Sequence, residues 1–477
     1  MQKIPFQVNE GGLVALLPNG HVEFLAASAR PLIERHNSGR AVASAELMTH
    51  AITDPLVTLD RFHLPAPAIA FVETTNLCNL RCRHCYADSA LKRPDEISTP
   101  RIKALLDDFA DMGVLQVFLT GGEIFSHRDA VEIINHARSK PFSTQIFTNG
   151  LLVTEERLAA IPPGQSFFIS FDTADPERTV RGRMDFPKLQ RAFEAMRRHG
   201  HVFRTAISVH RNNIQDAEAI FEWCAERGYP RPQWLETHPV GRALLHPGML
   251  LRPEDVDEVF EVYQRCMERY SAEPDEGSAG AAGTVGPDGA SAGAVAGPVP
   301  RRAADEIRGV DTIQFCQRLE RAVGQEKCGR SVVYVNSRGD VYPCSNCMSG
   351  QLYRAGNITA KPFAEIWEHG FDEFRDIRFS DHSVCGSCPV AREDIWCQFR
   401  CPPLARNITG DPRGCGATEY LQEFTLRSGR YWRARKERNV RLTLTPRPPG
   451  PADAPGPAGP PGPAGGPEAV RLPLPTT

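Results

Sequence analysis

The chain has 477 residues, enough for two or three domains each with a core of its own. Its 55 Lys and Arg stand against 58 Asp and Glu, and the resulting formal charge of −3 argues against a broad nucleic-acid footprint. No apolar run approaches the roughly eighteen residues of a membrane span, and the opening Met1-Gln-Lys-Ile-Pro lacks the apolar stretch of a signal peptide. A cytoplasmic chain without a membrane partner is expected. Its 14 cysteines then read as metal ligands or redox groups, since disulfides are rare in that compartment.

Residues 1–62 read as a small ββαα module, winged-helix-like in outline. Leu13–Leu17 and His21–Leu25 flank Pro18-Asn19-Gly20, where Asn-Gly supplies the positive φ angles of a tight hairpin. Two short helical patterns follow, over Ala27–His36 and Ser44–Ile52. From 63 to 270 strand and helix patterns alternate. Strands are expected at Ala68–Glu73, Val114–Thr120, Thr144–Thr148, Phe167–Phe171, Phe203–His210 and Gln233–Pro239, and the first intervening helix starts at Ser98-Thr99-Pro100. Repeated β/α units with short loops imply parallel strands and right-handed crossovers, an α/β architecture of the partial (β/α)6 barrel kind. Residues 271–303 carry Gly, Ala, Ser and Pro with almost no large apolar side chain, a linker that cannot bury a core, and 441–477 form a similar tail.

Three of the cysteines lie in Cys78-Asn-Leu-Arg-Cys82-Arg-His-Cys85-Tyr86, just after the first barrel strand. Iron–sulfur clusters are held by thiolates, usually four. Three would leave one iron of a cube with an open position, and open positions on metal centres are where chemistry happens. Half of a zinc site, completed by a distant residue, is the other reading. Nine more cysteines run from Cys316 to Cys415, in a domain placed at 304–440. There a hairpin pattern over Ser331–Cys344 turns at Arg338-Gly339-Asp340. Cys385-Gly-Ser-Cys388 and Cys397-Gln-Phe-Arg-Cys401 set pairs of thiolates on one side of a turn, which suits zinc ribbons as well as iron–sulfur. Cys224 and Cys266 read as small buried hydrophobes.

The Cx3Cx2C loop, followed by a strand that runs into Gly121-Gly122-Glu123, resembles the radical S-adenosylmethionine (SAM) superfamily. The resemblance implies a [4Fe–4S] cluster on Cys78, Cys82 and Cys85. It also implies SAM contacts from Gly121, Gly122 and Glu123, from Ser170 and Asp172, which resemble that family's SxD, and from Arg181. The chemistry implied is reductive cleavage of SAM to a 5′-deoxyadenosyl radical, driven by a donor such as flavodoxin or ferredoxin, and abstraction of a hydrogen atom from an unactivated carbon. The second cysteine field resembles the SPASM extension, which carries two auxiliary [4Fe–4S] clusters. By that resemblance Cys328, Cys344 and Cys401 bind the first, with Cys316 preferred to Cys347 as its fourth ligand, and Cys385, Cys388, Cys397 and Cys415 bind the second. The interval between Cys388 and Cys397 is longer than the family usually has.

Residues 1–62 are similar to the peptide-binding modules named after the pyrroloquinoline-quinone pathway, which implies that a leader peptide adds a strand to their sheet; a plain structural extension of the barrel is the other reading. Together these features imply a maturase that oxidises a residue of a peptide or protein. A small-molecule substrate (a sugar, cyclitol or tetrapyrrole precursor) stays open, as does a non-catalytic metal-binding or electron-transfer role. Ser345 stands where sulfatase-maturating relatives carry an aspartate, so their base is not carried over and no catalytic acid or base is named.

Overall fold

The computed structural model describes residues 3–52, 63–269, 315–320, 327–348, 351–395 and 397–444, apart from scattered single positions. The expected linker at 271–303 and the tail beyond 444 lie outside the described residues. The chain divides into two units, 1–428 and 429–477. The last helix, Glu419–Leu444, begins in the first unit and runs past the boundary expected at 440; its continuation is what is described of the second.

The barrel strands form where the apolar runs demanded them: β4 (Ile69–Glu73), β5 (Gln116–Thr120), β6 (Ser143–Thr148), β7 (Ser166–Ser170), β8 (Val202–Val209) and β9 (Gln233–Glu236). They pair in chain order and in parallel. Helices over Thr99–Met112, Ala130–Arg138, Glu155–Ala159, Phe186–Arg198 and Ile214–Glu226 make the crossovers. The first carries Pro near its start, where no N–H is needed, and ends on Gly113 in the left-handed region.

The sheet does not stop at six strands. The hairpin of the cysteine-rich domain, β10 (Val332–Val335) and β11 (Asp340–Tyr342), extends it past β4, with β10 parallel to β4 in the register Tyr334↔Phe71. A short β12 (Gly356–Asn357) closes that edge. The fully buried Trp367 donates its indole N–H to Leu64 O at 2.9 Å, and the guanidinium of Arg375 lies 5.1 Å from its ring. The cysteine-rich domain is thereby fixed beside the first barrel strand.

The amino-terminal module has a three-stranded antiparallel sheet, β1 (Phe6–Asn9), β2 (Gly12–Leu16) and β3 (Val22–Leu25), where two strands were expected. Its helices are Arg30–Asn37 and Ser44–Met48. The sheet is apolar on both faces. Leu13, Ala15, Leu17 and Leu25 pack on Ile33 and Leu47 of the module itself. Val14, Leu16, Val22 and Phe24 join Leu64, Ala68, Ile69, Leu115 and Phe118 of the barrel in one core. The module is therefore part of the barrel's packing and not a tethered appendage.

Candidate active site

The carboxyl ends of the strands meet at a cavity of about 300 Å3. Its floor is aromatic: Phe71, Phe147, Phe168 and Tyr334 line it, with Phe71 stacked 4.6 Å from Phe118 and Phe147 5.0 Å from Phe168. Aromatic rings packed at these separations exclude water from the barrel interior. The wall carries Cys78, Cys82, Cys85, His84, Tyr86, Thr120, Gly121, Gly122, Ser170, Arg181, Arg242 and Ser345.

The cysteine loop is held by its backbone. Gly122 N donates to Thr75 O at 2.7 Å and Glu123 N to Leu77 O at 2.9 Å, so the Gly-Gly segment lies directly on the approach to Cys78. A Cβ on Gly122 would come 2.6 Å from Leu77 O, a collision that no side chain could relieve. On the far side Gly241, at φ +54°, brings the chain so close that a Cβ would lie 2.4 Å from Cys85 O. Arg242 then reaches in, donating to Cys82 O at 2.8 Å and to Asp88 and Ser89 O at 2.9 Å each.

The three sulfurs sit among donors. Leu80 N points at Cys78 Sγ and Ser89 N at Cys85 Sγ, each at 3.4 Å, and Arg181 Nη1 lies 4.0 Å from Cys82 Sγ. Burial, with a smaller push from Cys82, Glu123 and Cys85, takes the Cys78 thiol up to about 12, and burial raises Cys82 as well, against the pull of Arg181. Deprotonated sulfur here therefore calls for a bound cation, and the surrounding N–H groups are aimed as a thiolate-held metal centre requires. The donor set fits an iron–sulfur cluster.

Two carboxylates expected at the cofactor do not line the cavity. Glu123, fully buried, accepts from Thr148 Oγ1 (2.7 Å), Asn149 N (2.7 Å) and Phe125 N (3.1 Å), pinning the ends of β5 and β6 together. Asp172 grips Arg181 through both oxygens, at 2.5 and 2.9 Å, and accepts Ser208 N at 2.9 Å. Despite its burial the Arg181 charge keeps the Asp172 carboxyl below the usual range. Asp172 thus acts by aiming Arg181, which does reach the cavity along with Ser170, Gly121 and Gly122. His84 and His210 lie beside this pair, and burial pulls them down to about 3 and about 4, so both are neutral. The two rings and Asp172 offer atoms within 4.8 Å of one another, but Arg181 already supplies the positive charge that a metal would bring.

Glu73, at the inner end of β4, drew no attention in the sequence. Burial pushes its carboxyl up to about 7 against the pull of Arg93, and its Oε1 has no hydrogen-bond partner. A folded value above the 4.5 of an unperturbed glutamate means stability present below pH 4.5 and lost as pH rises to about 7. Glu73→Gln should therefore melt higher than the parent at pH 8, by roughly 3 kcal/mol at about 1.4 kcal/mol per pH unit, with no such gain at pH 4. Equal melting shifts at the two pH values would contradict this assignment.

In the second field Cys328, Cys344, Cys347 and Cys401 come together. Cys344 Sγ and Cys347 Sγ are 3.9 Å apart, Cys344 also meets Cys328 and Cys401, and Asn346 Nδ2 donates to Cys401 Sγ at 3.6 Å. Cys316, expected as the fourth member, is not brought there. It is fully buried in the apolar core between barrel and amino-terminal sheet, beside Phe315 and Leu319, with its sulfur on Ser331. Cys347 takes the position expected of it. Cys385, Cys397 and Cys415 influence one another's charge, with Cys388 beside Cys385, and Gln422 Nε2 donates to Cys415 Sγ at 3.2 Å. The long interval before Cys397 is taken up by a helical turn, Pro389–Arg392, and a reversal at Asp394 with φ +52°. Cys224 and Cys266 are buried in the barrel helices, as expected.

Family models match both cysteine regions: the radical SAM superfamily over residues 72–224, and the SPASM iron–sulfur cluster-binding domain over 327–389. The chain carries a radical SAM superfamily domain followed by a SPASM domain. It is an enzyme of that superfamily, with [4Fe–4S] clusters and SAM as cofactors.

The radical SAM chain is similar to the subtilosin biosynthesis protein AlbA of Bacillus subtilis, 29% identical over 42% of this chain and 47% of that one, so about half of AlbA is matched. A PqqA peptide cyclase of Xanthomonas oryzae pv. oryzae is 26% identical over 72% of this chain and 85% of its own. An AdoMet-dependent heme synthase of Nitratidesulfovibrio vulgaris is 26% identical over 71% and 88%. Among solved structures, SuiB of Streptococcus suis bound to SAM shares the fold, with a TM-score of 0.61, 14% identity, and coverage of 88% of this chain and 99% of that one. Among the described residues no helix is long and apolar enough to cross a membrane.

Proposed function

We propose that this radical SAM enzyme is a peptide maturase. Cys78, Cys82 and Cys85 would hold the SAM-site cluster, Cys328, Cys344, Cys347 and Cys401 one auxiliary cluster, and Cys385, Cys388, Cys397 and Cys415 the other. When bound, the first cluster supplies the electron that cleaves SAM to a 5′-deoxyadenosyl radical. The chain's own part is positional. Arg181 and Arg242 brace the loop, Ser170 and the two glycines line the cavity where the cofactor would sit, and the aromatic floor would keep water from a reactive intermediate.

The observation that carries the peptide reading is the small sheet built into the barrel's core. AlbA and the PqqA cyclase bear names that tie them to peptides, and SuiB has been solved with its precursor peptide SuiA. The outer edge of β3 is taken by the segment behind it, through Ile52 N to Phe24 O and Ala26 N to His50 O, each 2.8 Å. The other edge strand is β1, where Gly113 lies against Phe6 O and Val8 is half exposed, so a leader strand would add at the Val8 end. A tetrapyrrole precursor is the second reading, favoured by the heme synthase relatives.

The test is co-expression with candidate short precursor peptides, any encoded beside the gene first, followed by anaerobic assay. A maturase yields 5′-deoxyadenosine and a peptide lighter by the hydrogens lost in oxidation. Val8→Asp should weaken modification of the full precursor at least about fivefold while sparing substrate-free SAM cleavage, as rim substitutions do. Turnover of a tetrapyrrole precursor with no change in any peptide would decide for the second reading.

A further inference from the structure

Cys82 faces the cavity, and its neighbours Arg81 and Arg83 are exposed. The segment after β7 lies along the same stretch. Arg83 N donates to Val180 O at 2.7 Å, and a Cβ on Gly182 would lie 3.8 Å from Arg81 N. This brings the exposed Arg183 onto the same surface.

The other arginines nearby are paired. Asp172 holds Arg181, Asp175 and Asp216 hold Arg178, and Asp88 holds Arg242, while Asp185 caps a helix through Lys188 N and keeps its charge. Among the described residues Arg81, Arg83 and Arg183 make no ion pair, and against these three cations the same segment carries two carboxylates outside any ion pair, Glu177 and Asp185. In a chain of net charge −3 this is a local positive face, set on the outer side of the loop whose inner side lines the cavity.

Resting on the radical SAM reading above, we infer that this face receives an acidic, one-electron carrier protein that reduces the centre held through Cys82. The transfer is balanced by itself: the carrier is oxidised by one electron, the centre is reduced by one, and no bond or proton moves. An electron entering here does not cross the cavity that SAM and substrate occupy. Three unpaired cations steer an acidic partner and raise its encounter rate, an effect that salt removes.

The test uses the full chain carrying R81E, R83E and R183E together, with flavodoxin as the carrier. Substrate-free SAM cleavage driven by reduced flavodoxin should fall about tenfold or more at low salt, and the difference should fade above about 0.5 M salt. Cleavage driven by the small cation methyl viologen, reduced with dithionite, should stay at the parent rate. Titration of oxidised flavodoxin into cluster-free protein should show the same loss of affinity, and the three Arg→Lys changes should keep most of both. Parent-like flavodoxin rates and binding in the glutamate variant would overturn the assignment. So would an equal fall in viologen-driven cleavage, which means damage to the cluster loop. A parent chain that cleaves no SAM even with viologen would refute the radical SAM reading instead, while the binding titration would still judge the surface.

Discussion

Replacing Cys82 with alanine should reduce SAM cleavage to the uncatalysed background, and iron should fall from about twelve atoms per chain to about eight. Two thiolates cannot hold a cube that already relies on three. Among the described residues Cys78, Cys82 and Cys85 are the cysteines that line the cavity. The loop itself should survive the change. Its shape is set by Gly122 lying on Thr75 and Leu77, and by Arg242 gripping Cys82 O and Ser89 O. The variant should thus keep its melting temperature and its auxiliary iron while losing turnover. Iron analysis, a melt and an assay for 5′-deoxyadenosine on one anaerobic preparation separate the possibilities. Retained cleavage would mean that the open iron lies elsewhere, whereas a collapsed melt would mean that Cys82 holds the fold and leave its role in chemistry unsupported.

The barrel was legible in the sequence because parallel strands buried on both faces read as largely apolar runs, and Gly121-Gly122 and Asn149-Gly150 mark where β5 and β6 end. The cysteine loop was legible because three thiols at fixed spacing have few other uses. What the sequence hid depends on direction. A motif shows that a carboxylate is required, not where it points: the oxygens of Glu123 and Asp172 bond Thr148, Asn149 and Arg181. Phe71 and Phe147 looked like ordinary core, and only the curvature of the sheet turns them toward a cavity. Strand β1 escaped because Phe6-Gln-Val-Asn9 is short and half polar, with its pairing supplied from outside by β2.

The sharpest difference between sequence and structure concerns the fourth cysteine of the first auxiliary group, and it yields the second large effect. Cys347→Ala should lose about four irons per chain, whereas Cys316→Ala should keep them all. Sequence spacing favoured Cys316, because Cys347 stands so near Cys344 that the two looked redundant. The short 3-10 turn Ser345–Cys347 changes that: it swings Cys347 back beside Cys344, with the sulfurs 3.9 Å apart and Cys328 and Cys401 next to them. Cys316 meanwhile shares its core with Phe24 and Phe315, whose rings are 5.2 Å apart. Truncating it there removes one buried sulfur and leaves a small void, a cost of about 1 kcal/mol that lowers the melting temperature without touching iron. The two variants should therefore fail differently, one in iron content and auxiliary-cluster spectra, the other in stability alone. If alanine at 316 strips the iron while alanine at 347 leaves it in place, the ligand belongs to the apolar core after all, and the segment carrying Cys316 must swing out of it to bind.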